Sequence, residues 1–214
     1  MLYKLLNQDL TTHNGFQWEV GKTYNIDIDK PGKKLCTNQV FHAYRSPETA
    51  ALFNPIHANI SNPICYSVDT GKIVADDGLK VGVKSMRLVE QIKLPVFTAR
   101  QQTIFAILCA QQARKYLTNP IPEWDKWADD YINNRSTNAD AATYAAYATA
   151  AYAVAAVYPA AAANAAYAAA TTADAATYAA AGDASYAYAA ADAADATDEI
   201  NFTSLAKKAL TYEA

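Results

Sequence analysis

Apolar and polar residues alternate with a period near two over much of residues 1–97, whereas beyond residue 98 the apolar positions recur at three- and four-residue spacing. Met1–Leu6 is a short apolar run. Gly21–Ile28 sets Tyr24, Ile26 and Ile28 against polar partners, the pattern of a half-buried strand. Ile64–Val68, Lys72–Ala75, Leu79–Val83 and Met86–Leu94 read as four more strands. Pro-Gly within 29–34, Asp69-Thr70-Gly71-Lys72 and Asp76-Asp77-Gly78 supply turns, and Pro95 closes the set. One helix interrupts these strands. Ser46 is placed as its N-cap with Pro47 at its first position, and it is expected to run through Phe53.

From Thr98 the signals are helical. Thr98 and Gln101 form a capping box ahead of the apolar run Ile104–Ala110, predicting a helix to about Leu117. Asn119-Pro120-Ile121-Pro122 breaks it. A second helix carries Trp124, Trp127 and Tyr131 on one face and Asp125, Asp129 and Asp130 on the other, ending in the polar stretch 133–138. Between Ala139 and Ala196 well over half the residues are Ala, with Tyr, Thr and Asp making up most of the rest. Alanine favours helix by about 1 kcal/mol per residue over glycine. Tyr144, Tyr147, Ala151, Val154 and Tyr158 form a narrow seam at helical spacing. Pro159, Thr171-Thr172 and Gly182-Asp183 punctuate the array, and Phe202–Tyr212 is a last amphipathic helix. The expected class is α+β: a strand-rich α/β head over 1–97 and an Ala/Tyr-rich all-α array of five or six helices over 98–214.

Charge and composition narrow the function. The 214 residues carry 18 Lys/Arg and 21 Asp/Glu, but unevenly: 16 against 13 in residues 1–135, then 2 against 8 in 136–214. No Lys or Arg lies between Arg135 and Lys207, so the array has no cations to hold phosphates, and nucleic acid is not the expected partner. The Ala stretch is interrupted by Tyr, Thr and Asp every few residues, unlike a membrane span. MLYKLLNQDL lacks a basic start and a long apolar core, so the expected location is the cytoplasm of a host cell. Cys36, Cys65 and Cys109 are widely spaced, which favours reduced thiols over a disulfide framework or a zinc knuckle. P-loop, GxGxxG, HExxH and GxSxG motifs do not occur. No cofactor and no metal are expected.

Two resemblances add to this reading. Gly15-Phe16-Gln17-Trp18-Glu19-Val20-Gly21-Lys22-Thr23-Tyr24 and Leu35–Tyr44 (LCTNQVFHAY) resemble a family of uncharacterised domains common in phage proteins. Its pattern is GFQ[YW]ExGKxY followed by LCxxGFHAC. Val40 stands where that pattern has glycine, and Tyr44 where it has a second cysteine. The part from about Leu94 resembles alanine-rich immunity proteins of phages and mobile elements, through Ile104–Ala110, Glu123–Tyr131 and Asn138–Ala142. Together they imply a phage or mobile-element accessory protein that binds and inhibits a host defence protein without catalysis. Self-association into a scaffold is a further alternative.

The candidate site residues follow from position and chemistry. His42, Tyr44 and Arg45 lie in a segment read as a loop, Phe41–Ala50, between a strand and the Pro-initiated helix. Cys36 with His42, or His42 with Arg45, would make a small polar site. Asp174, Asp183, Asp192, Asp195 and Asp198 recur late in the array and would steer a basic partner. The order Tyr3, His42 and Glu90 along the head is similar to the layout of ADP-ribosyltransferases, which implies an enzymatic alternative with Glu90 as the carboxylate and NAD as the substrate. Tyr3 departs from the Arg or His expected on the first strand.

Overall fold

The computed structural model describes residues 1–12, 15–26, 35–76, 78–113, 122–135 and 201–213. The chain divides into two compact units, Met1–Val96 and Phe97–Ala214. The first is an antiparallel sheet with one helix and the second is helical wherever it is described, so the class is α+β. The array from Ala139 to Ala196, its tyrosine seam and the five late aspartates lie outside the described residues.

The head's strands are β1 (Leu2–Leu6), β2 (Thr23–Asn25), β3 (Phe41–Tyr44), β4 (Ile64–Thr70), β5 (Ile73–Asp76), β6 (Lys80–Val83) and β7 (Ser85–Ile92). They form one seven-stranded sheet in the order β2-β7-β4-β1-β3-β6-β5. Register divides the side chains between two faces. One face gathers Leu6, Ala43, Tyr66, Val68, Val81, Val83, Met86 and Leu88 around Trp18, which comes from the loop after β1 and is 1% exposed. Phe41–Tyr44 is therefore a strand and not the expected loop. It pairs with β6 along its whole length, from Phe41↔Val83 to Tyr44↔Lys80. The bare Cα of Gly82 allows this, because a Cβ there would stand 2.9 Å from Val40 Cγ2.

Helix α1 (Pro47–His57) packs against β1 and β3. Ser46 caps it as expected: its Oγ accepts from the Thr49 N–H while the Thr49 hydroxyl answers the Ser46 backbone. The helix continues past Phe53 and contains Pro55, one turn longer than the local sequence indicates. That turn is closed by Asn54. Its carbonyl accepts from Ala58 and Asn59, and its amide exchanges two hydrogen bonds with Ile60 at 2.8 and 3.1 Å. The extra turn carries His57.

In the second unit, α2 (Ala99–Ala113) buries Ile104, Phe105, Ile107, Leu108 and Cys109. Its predicted capping box is present, at 3.0 and 3.2 Å between Thr98 and Gln101. The Gln101 amide also donates to the carbonyls of Leu210, the last residue of α4 (Phe202–Leu210), and of Tyr212 just beyond it. Arg100 donates to the last carbonyls of α3 (Pro122–Ile132), at Tyr131 and Ile132. A cation there satisfies groups that a helix end leaves unpaired. None of the described helices is long and apolar enough to cross a membrane.

Candidate functional site

Strands β1 and β3 are neighbours, yet only one residue pair, Tyr3↔Tyr44, is in register between them. Beyond it the strands part, leaving the His42 carbonyl without a ladder partner on β1. The Lys4 ammonium reaches across and donates to that carbonyl at 3.0 Å. A cleft of about 850 Å³ opens beside this gap. Its lining comes from both faces of the sheet: Phe16, Trp18, Tyr24 and Phe41 from one, and His42, Tyr44, His57 and Lys80 from the other. No described residue of the lining is a carboxylate.

The interior of the cleft is cationic. Lys4 is 8% and Lys80 3% exposed. Burial pulls the Lys4 ammonium down to about 8, because a charged group leaving water loses hydration that one carbonyl and the Trp18 ring, 5.0 Å away, only partly restore. Lys80 lies 3.0 Å from the Cys36 sulfur. The histidines respond to the same surroundings. His42 is lowered to about 4, by burial first and then by Lys4 and Lys80. His57 is lowered to about 3, by burial first, then Lys80, then His42. Both rings are neutral at physiological pH. His42 Nε2 accepts from the Cys36 backbone N–H at 2.8 Å, so the neutral ring carries its proton on Nδ1. His57 stacks between Tyr44 and Phe53 at 6.0 and 5.5 Å, and both of its nitrogens are buried without a hydrogen-bond partner.

An aromatic lip borders this interior. Gly15, at φ 70°, reverses the chain so that Thr12 and Phe16 meet through their backbones and Phe16 turns back over Trp18. Phe16 lies 5.0 Å from Trp18, 5.3 Å from Tyr24 and 5.8 Å from Phe41, ring centre to ring centre. The Trp18 indole N–H is satisfied by the Thr12 hydroxyl at 3.1 Å. Phe16 itself remains 39% exposed.

The residues singled out from sequence are only partly brought together. His42 and Tyr44 line the cleft, and the Cys36 backbone binds the His42 ring. Arg45 instead forms an ion pair with Asp76. Tyr3 and Glu90 stand in one row across the sheet with Ser67 between them, and neither lines the cleft. Among the described residues no group of three or more His, Cys, Asp or Glu is arranged to hold a metal. Lys4, His57, Lys80 and the Phe16 lip were not selected from sequence. A lysine in the apolar run Met1–Leu6 was the available signal for the first, and the GFQW segment for the last.

No curated protein and no solved structure matches this chain. Residues 1–100 do match a family, described as a domain of unknown function, and the whole strand-rich head with its cleft is thus covered by a DUF7666 domain.

Proposed function

We propose that the protein works by capturing a partner macromolecule non-covalently, as an accessory protein of a phage or mobile element whose target is a host defence protein. The observation that carries this reading is Phe16, a large ring held in place by three others and still 39% exposed at the mouth of the cleft. Rigid aromatic anchors of this kind concentrate binding energy at interfaces. The Ala/Tyr array, read as helical from its sequence, adds a broad surface of small side chains, with Asp174, Asp183, Asp192, Asp195 and Asp198 drawing in a basic face.

The test is affinity capture from host cells with the full chain and with Phe16→Ala as baits. A specific partner should be recovered unmodified by the parent chain, with recovery falling at least about ten-fold for the variant, as for loss of an anchor. Equal recovery by both baits would refute the role of the lip. A partner carrying a newly attached ADP-ribose would refute capture without catalysis.

A further inference from the structure

The gap between β1 and β3 holds groups that partner capture at the lip does not use. Lys4 is a buried ammonium whose contacts are the His42 carbonyl and the Trp18 ring, with no carboxylate beside it among the described residues. An isolated charge away from water is costly, and an anion in the cleft would offset that cost. Lys80, equally buried, lines the same space. His57 lines it too, and its one donor and one acceptor are both buried with no partner within the protein. Buried polar atoms are nearly always paired, so an imidazole beside a cavity with both nitrogens unpaired marks a place for a ligand's polar groups. Tyr24 and Phe41, half-buried, add ring surface to the lining. The cleft's volume of about 850 Å³ accommodates a molecule of nucleotide size.

We propose that this gap is a binding site for a nucleoside monophosphate or a closely similar planar ring bearing a phosphate. The phosphate sits against Lys4 and Lys80, His57 hydrogen-bonds the polar edge of the molecule, and the base lies on the ring surface of Tyr24 and Phe41. Cation, imidazole and aromatic surface together select such a molecule over a simple anion, which would leave the rings bare, and over a neutral nucleoside, which would leave Lys4 uncompensated.

Calorimetric titration of the full chain with AMP, adenosine and inorganic phosphate tests it. AMP should bind saturably, with adenosine and phosphate each weaker by about ten-fold or more. Lys4→Met, which keeps the apolar stem, should weaken AMP by at least about ten-fold and leave adenosine unchanged. His57→Phe, which preserves the ring stack and removes both nitrogens, should weaken AMP and adenosine alike. Near-ultraviolet circular dichroism confirms that each variant is folded, and either one alone suffices. No saturable AMP binding at millimolar concentration would overturn the proposal. So would AMP affinity unchanged in the folded variants, or phosphate binding as tightly as AMP. Because no host protein enters this assay, its outcome is separate from that of the capture experiment.

Discussion

Acidification from pH 7 to pH 5 should destabilise the head through its two cleft histidines. In an unfolded chain each imidazole titrates near 6.5. In the fold His42 is lowered to about 4 and His57 to about 3. Between these limits the unfolded state binds more protons than the folded one, so stability falls as pH drops below about 6.5 and levels off below the folded values. At pH 5 both folded values have yet to be reached, and the loss is set by the distance from 6.5, about 2 kcal/mol for a fully buried ring. His57, enclosed between Tyr44 and Phe53, should show nearly all of it. His42 is half-buried, and solvent screening reduces its share to about 1 kcal/mol. The expected total is about 3 kcal/mol. The lowered carboxyls of Asp9 and Glu19 do not interfere, because their contribution is lost only below the ordinary carboxylate range. Of the two lysines that face the rings, Lys4 is lowered only to about 8 and stays cationic throughout this window. Urea unfolding at the two pH values measures the effect, in a background of Trp124→Phe and Trp127→Phe so that Trp18 alone reports, and of His13→Gln to remove the third histidine. His57→Phe should abolish about 2 kcal/mol of the pH dependence. A difference between pH 7 and pH 5 below about 1 kcal/mol would show that the rings are hydrated and the cleft is misjudged.

Three further outcomes follow from packing. Trp18→Ala should cost about 3–5 kcal/mol in urea denaturation, since the ring is 1% exposed and supports both the core face and the lip. Gly82→Ala should cost about 1–3 kcal/mol by the same measurement, because its Cβ would press on Val40 Cγ2 at 2.9 Å and on Ala75 Cβ at 3.2 Å. Ser46→Ala, which removes one half of the capping box of α1, should lower head stability by about 1 kcal/mol, and a loss below the error of the measurement would show the cap to be dispensable.

Features governed by neighbours along the chain were legible in the sequence. The strands over 64–92 lie within a residue or two of where alternation and turn residues put them. The Ser46 and Thr98 caps are both present, because a side chain two or three positions away decides each. The α+β division follows from the change of period near residue 98. Long-range pairing was not legible. Phe41–Tyr44 reads as a loop because its polar and apolar residues are buried on both faces, and only β6 makes it a strand. His57 belongs to a turn that local signals end at Phe53 and that Asn54 prolongs by bonding Ile60. Lys4 is an anomaly in an apolar run until β3 diverges from β1 and exposes a carbonyl for it to bind. Tyr3 and Glu90 are ordered suggestively along the chain, yet strand order inserts β4 between them. Sequence determines where strands and caps form because those energies are local. Which strands lie side by side, and where two neighbours part to leave a cationic cleft, is decided by packing between residues dozens of positions apart.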